Sequence, residues 1–277
     1  MNINFSRVQK QRLRELDAPL NLQEKSFSSI QERDKSFRSI EQLLVGQGKQ
    51  HLLEVRNVRR RPALCELETK LTNVLTENGF VQVVTPIILA KGLLAKMSIT
   101  SEQPLFKQVF WVSDDKCLRP MLAPNLYYLL GEFVRLYEKP IQVFEIGPCF
   151  RKDSKGGHHL NEFTMLNLVE LGSPEETGKQ RLEELAAIVM DAAEIKNYQL
   201  SPTQCEVYGE TIDIVAGLEV GSGVIGPNPL DAQWGWVDPW VGIGFGLERL
   251  IMISKGYQNI QRGGRALVYF DGVRLNI

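Results

Sequence analysis

The chain has 277 residues, of which 43% are hydrophobic and 23% charged, with a net charge of −1; this is the composition of an ordinary globular protein with a substantial core. No stretch approaches the ~20 apolar residues that span a bilayer, and the polar start Met1-Asn2-Ile3-Asn4-Phe5-Ser6-Arg7 lacks the apolar segment of a signal peptide. The expectation is therefore a cytoplasmic protein with one large domain and a small appendage.

Charge is unevenly distributed: residues 1–61 carry 13 Lys and Arg against 7 Asp and Glu, and the remainder 19 against 26. A basic front on an acidic body suits contact with a polyanion, usually nucleic acid, although a solvated helical surface has the same signature. Within this front, residues 5–16 predict a basic amphipathic helix, with Phe5, Val8, Leu13 and Leu16 on one side and Arg7, Lys10, Arg12 and Arg14 on the other. Asp17-Ala18-Pro19 stops it. A second helical pattern runs through Phe27, Ile30, Phe37, Ile40, Leu43 and Leu44, and Gly46-Gln47-Gly48 is expected to interrupt it. Arg56, Arg59, Arg60 and Arg61 then concentrate positive charge before Pro62, where the main domain begins.

From Ala63 to Leu75 the spacing is helical and ends at Asn78-Gly79. A strand is predicted over Phe80–Thr85, stopped by Pro86. Further short strands are predicted at 108–112, 117–120, 141–146 and 162–171, with helices at 123–137 and 174–194. There is no regular strand-helix-strand rhythm, so the reading is α+β, an antiparallel sheet flanked by helices. The four cysteines, Cys65, Cys117, Cys149 and Cys205, are widely spaced and only three histidines are present, which argues against a zinc site and for reduced structural thiols.

Near the C-terminus, Gly242-Ile243-Gly244-Phe245-Gly246-Leu247-Glu248-Arg249 alternates glycine with apolar residues. On a strand the three glycines share one face and leave it bare, and a following helix would hold Arg249 at its edge as a planar fork of donors. Such a face admits a phosphate-bearing ligand, or a helix packed closely on the sheet.

Three segments combine: a helix leading into Phe80–Pro86, Phe150-Arg151 with a loop and the strand at Glu162, and Gly242–Arg249. In this order they resemble the three motifs of the class II aminoacyl-tRNA synthetases. Within the class the chain is most similar to the branch that serves pyrrolysine. The likeness is carried by Arg119-Pro120-Met121-Leu122-Ala123-Pro124-Asn125-Leu126-Tyr127, by Phe144 to Lys152, by His159 to Asn167, by Val207-Tyr208-Gly209-Glu210-Thr211 and by Asp271 to Asn276. The resemblance covers 62–277 and, more loosely, the N-terminal helices. It is to the stand-alone bacterial catalytic subunit, whose small tRNA-binding partner is a separate chain, although a form that dispenses with that partner also exists.

The resemblance implies a homodimeric ligase that uses ATP and Mg²⁺ to form an aminoacyl-adenylate and then charges the 3′ end of its tRNA. It makes Arg151 the clamp on the α-phosphate and Arg249 the clamp on the γ-phosphate. It also stacks Phe163 on adenine, sets His159, Leu160 and Gly244 at the nucleotide, and assigns Glu219 and Ser222 to the metal, a hard cation suited to oxygen ligands. Arg262 corresponds more weakly and either supports the nucleotide end or caps a helix. Ala123, Leu126, Tyr127, Leu130, Val169, Val224, Trp240 and Gly242 would line a deep apolar pocket, with Asn167 recognising the substrate amide and Tyr208 on a closing hairpin. Two departures stand out: Asp153 replaces a glutamate two residues after the motif arginine, and Val169 replaces the cysteine of some relatives. A synthetase for another amino acid, or a non-catalytic synthetase-like tRNA-binding protein, would share the fold.

Overall fold

The computed structural model describes residues 3–152, 159–173 and 175–277. Its N-terminal segment holds helices α1 (Arg7–Glu15) and α2 (Ile30–Glu54). A capping box starts α1: the Ser6 hydroxyl accepts from Gln9 N, and the Gln9 side chain accepts from Ser6 N. Phe5, Leu13, Ala18, Phe27 and Ile40 bury their side chains in a small separate core. Contrary to expectation, α2 runs straight through Gly46 and Gly48. Glycine in a helix costs about 1 kcal/mol relative to alanine, but tertiary packing overrides this at Gly48. A Cβ there would lie 3.0 Å from Val273 and 3.1 Å from Ile277, so the glycine lets the C-terminal residues lie against the helix. Nothing in the structure explains Gly46.

The main sheet, among the described residues, has seven strands: β1 (Val81–Gln82), β2 (Ile141–Phe150), β3 (Glu162–Leu171), β4 (Gln199–Cys205), β5 (Gly209–Val215), β6 (Glu219–Gly226) and β7 (Trp240–Gly246). They are ordered β1-β2-β3-β7-β6-β5-β4. All pairs are antiparallel except β1 with β2, which is parallel, so the sheet is mixed. The chain between β1 and β2 makes the long crossover that a parallel pair requires. The strand expected at 108–112 is absent. Gln108 O accepts from Lys152 N and Phe110 O from Leu118 N, and only Trp111 bridges to Cys117. This alternating segment fills the core with the fully buried Val109 instead of joining a ladder.

The flanking helices are α3 (Ala63–Glu77), α4 (Ala123–Phe133), α5 (Gly178–Ala192) and α6 (Leu247–Lys255). Period-two alternation sends Phe144, Leu166, Leu168, Ile243 and Phe245 to one face of the sheet, where they join one core with side chains of α3, α5 and α6. Burying each side chain of this size stabilises the fold by roughly 2 kcal/mol. The opposite face meets α4 and the loops around it and carries the candidate site. No helix among the described residues is long and apolar enough to cross a membrane.

Candidate active site

The residues alternating with that core point into a single cavity of about 530 Å³. Register pairs Gly242 with Val169 and Val224, and Gly244 with Asn167 and Ser222, so these six share one face. Ala123, Leu126 and Tyr127 of α4 form one wall, the turn between β4 and β5 with Tyr208 another, and Arg151, His159, Leu160 and Phe163 the far end.

The three glycines of β7 prove to have different neighbours. A Cβ on Gly242 would lie 2.7 Å from the Trp240 ring, so this glycine accommodates an indole as well as flooring the cavity. On Gly244 it would lie 3.3 Å from Asn167 Oδ1, and on Gly246 it would meet nothing closer than the Arg249 stem at 3.7 Å. Open floor therefore lies at Gly246, beside Arg249, while Gly244 leaves room for the Asn167 and Met165 side chains.

At the far end, Arg151 Nε donates to Pro120 O at 2.8 Å and its guanidinium stands 5.4 Å from the Phe163 ring centroid. Arg249 enters from the first turn of α6, and its Nη1 donates to Glu219 O at 2.9 Å and lies 3.3 Å from Glu219 Oε2. Residues three apart on a regular strand face opposite ways, yet Glu219 and Ser222 both line the cavity. A register shift between Glu219 and Gly221 makes this possible. Together they offer a carboxylate and a hydroxyl, the hard oxygen donors that suit Mg²⁺. Among the described residues no three His, Cys, Asp or Glu side chains form a metal cluster, so the remaining ligands of such an ion would be water and phosphate.

Two buried polar arrangements support this end, and neither was visible in the sequence. Glu248, next to Arg249, is 1% exposed; both its carboxylate oxygens accept from Thr164 N at 2.9 Å and one accepts from Thr164 Oγ1 at 3.0 Å. It thereby docks the start of α6 on β3 beside Phe163. Burial, only partly opposed by these bonds, pushes its pKa up to about 7. A raised carboxyl pKa means that folding favours the protonated form. The stabilisation is complete below the unfolded value near 4.5 and disappears as pH rises through about 7. Glu248→Gln should remove this slope, worth about 3 kcal/mol, from urea melts recorded between those pH values.

The second arrangement centres on Arg119, 1% exposed, whose Nη1 donates to Glu145 Oε1 at 2.7 Å and whose Nε donates to Pro148 O at 2.8 Å. Thr85 donates through N and Oγ1 to the same carboxylate at 3.1 and 2.7 Å, and Asn125 Nδ2 donates to Thr85 Oγ1 and Pro86 O. The segment after β1, the start of α4 and β2 are thus tied together. Gly147 is required here, because a Cβ would fall 2.1 Å from Arg119 Nη2. Since Pro120 O receives Arg151, the cluster reaches the site through one residue.

The other end of the cavity is aromatic. Tyr127 packs against Trp236 at 4.9 Å, Trp240 at 5.7 Å and Tyr208 at 6.4 Å between ring centroids. Asn167 Oδ1 is buried there with no hydrogen-bond partner among the described residues.

Leu130, expected in the pocket, lies elsewhere, and Arg262 takes the helix-capping role of its two expected alternatives. Leu130 is fully buried in the core and does not line the cavity. Arg262 is also outside it: its guanidinium donates to Arg14 O, Glu15 O and Gly272 O, capping α1 and clamping it to the C-terminal residues. Asp153 lies outside the described residues. Alternation could have revealed Met165 two residues before Asn167, and Asp213 opposite Ser222 also lines the cavity.

Comparison with known proteins agrees with this geometry. The family model "tRNA synthetases class II core domain (F)" matches residues 54–269. A crystal structure of pyrrolysyl-tRNA synthetase from Desulfitobacterium hafniense is 55% identical, covers 99% of both chains and superposes with a TM-score of 0.94. A second structure of that enzyme gives 0.91 at the same identity, over 99% of this chain and 96% of that one. The O-phosphoserine–tRNA(Cys) ligase of Methanocaldococcus jannaschii is 29% identical over 60% of this chain, which spans about a third, 32%, of that longer protein. Sheet, cavity and comparisons together establish that the chain belongs to the class II aminoacyl-tRNA synthetases, in the pyrrolysyl-tRNA synthetase family.

Proposed function

We propose that the chain activates pyrrolysine with ATP to the aminoacyl-adenylate and transfers the acyl group to the 3′ end of its cognate tRNA. What carries this reading is one cavity with an arginine end and an aromatic end, joined across Gly244 and holding an unpartnered Asn167 Oδ1. The nucleotide lies on Phe163 with its α-phosphate at Arg151 and its γ-phosphate at Arg249, and His159 and Leu160 border it. The pyrrolysine side chain fills the aromatic end, where its amide N–H supplies the donor that Asn167 Oδ1 lacks. Activation needs the carboxylate held in line with the α-phosphorus and the shifting phosphate charge stabilised, which fixed guanidinium groups provide without reorganisation. Mg²⁺ at Glu219 and Ser222 would neutralise phosphate charge.

Pyrophosphate exchange into ATP tests the proposal: pyrrolysine should drive it and the twenty common amino acids should not. Exchange driven by another amino acid would reassign the pocket, and none at all would leave a synthetase-like binding protein. Asn167→Ala should lower exchange with pyrrolysine by about tenfold and raise the relative acceptance of apolar bulky amino acids, because the desolvated amide is gone. Exchange rates across a substrate panel check this.

The tRNA is proposed to meet the N-terminal residues 1–61 as a distinct tRNA-contacting unit. Arg12 and Arg59 are engaged with Glu41, Glu66 and Asp271, whereas Arg7, Arg14, Lys35, Arg38 and Arg56 are exposed. Affinity for tRNA should fall steeply with salt, the slope of log K against log salt counting released counterions. A homodimer is proposed through the exposed apolar Val81, Val84 and Ile88 around β1. Work in the cytoplasm, with or without a separate small tRNA-binding subunit, completes the proposal.

A further inference from the structure

The indole of Trp240 forms the back wall of the aromatic end, and its position depends on a loop that the catalytic scheme does not use. Trp240 opens β7 opposite Gly226 of β6, and a Cβ on Gly226 would fall 1.8 Å from its Nε1. The ring therefore lies across the floor of the sheet instead of being stopped by it. Tyr127 and Trp236 pack edge-on with it, at 5.7 and 6.0 Å between ring centroids. Its polar edge is held by Asp231, 1% exposed, whose Oδ2 accepts from Trp240 Nε1 at 2.7 Å and from Asn228 N at 2.6 Å. Asn228 in turn sends Nδ2 to Tyr208 O at 2.8 Å, on the turn between β4 and β5 that covers the cavity. Back wall and cover thus meet in one buried carboxylate, although neither residue is near the other in sequence.

We infer that Asp231 is a positioning residue for substrate selection: it fixes the Trp240 wall and, through Asn228, the Tyr208 turn, so that pocket depth and closure are set together. The inference rests on the proposed amino-acid pocket but concerns its walls, which can be followed without substrate. Its physical basis is that a buried, charge-assisted acceptor shared by two donors holds both in one geometry, and its removal strands both. A loop anchor with a purely structural role would change stability and affect every substrate equally.

The test compares Asp231→Ala, Asp231→Asn and wild type in the whole chain by hydrogen–deuterium exchange without substrate and by pyrophosphate exchange with pyrrolysine and shorter amide-bearing lysine derivatives. Asp231→Ala should speed deuterium uptake at the 205–209 turn and around Trp240. It should also raise KM for pyrrolysine by about tenfold, with kcat and KM for ATP little changed, and narrow the preference for the longer substrate. Asp231→Asn keeps an oxygen for both donors and should restore each property. Unchanged uptake at the turn, or an equal loss of kcat for all substrates without rescue by asparagine, would overturn the inference. If wild type fails to activate pyrrolysine while Asp231→Ala still loosens the turn and asparagine restores it, the functional proposal falls and the positioning role stands.

Discussion

Replacing Arg151 with alanine is expected to reduce pyrophosphate exchange by about 10²–10³-fold, the size of effect seen when one preorganised donor to developing charge is removed. The expectation follows from where the guanidinium stands. It is bonded to Pro120 O and lies over Phe163, so it would meet the proposed nucleotide already oriented. Arg151→Lys should recover only part of the rate, because an ammonium is a point charge without the planar fork. Single-turnover formation of the adenylate checks both variants, and rates within threefold of wild type would contradict the assignment.

The largest effect on stability is expected at Arg119. Arg119→Ala leaves Glu145 buried without its cationic partner and removes the side-chain donor to Pro148 O, and breaking such a pair costs about 3–5 kcal/mol. In a protein of this size that corresponds to a fall in melting temperature on the order of 10 °C. Replacing both partners with apolar side chains of similar volume should recover much of the loss, because desolvation offsets most of the attraction in a buried pair. Activity is expected to stay impaired in the double variant, since Pro120 O would no longer be held for Arg151. Calorimetry combined with pyrophosphate exchange separates the two effects.

How far the sequence could be read depended on whether a feature was local. Alternation at Gly242–Arg249 and 162–171 gave the strands and the face that carries Asn167, because side-chain period two is a property of the backbone itself. Alternation misled at 108–112, where extended chain fills a core without entering a ladder. Gly46 and Gly48 read as a helix break because the residues that pack on Gly48 lie at the other end of the chain. Shorter separations still hid Arg119 with Glu145 and Glu248 with Thr164, whose burial exists only once the sheet has closed. For Arg262 the two alternatives, nucleotide end or helix cap, could not be separated by pattern for a related reason: its partners on α1 precede it by more than two hundred residues. Of the pocket residues, the apolar ones would pass for core by pattern alone, and only family resemblance distinguished them.

In the proposed site an ATP held by Arg151 and an amino acid whose side-chain amide is held by Asn167 meet over the glycine strand β7. The most direct test measures pyrophosphate exchange for pyrrolysine and for an isostere with a methylene in place of the amide N–H, in wild type and in Asn167→Ala. Wild type should prefer pyrrolysine by about ten- to a hundredfold, and the variant should lose that preference. Equal discrimination in both proteins would contradict the account, because the amide would then be recognised somewhere other than at Asn167.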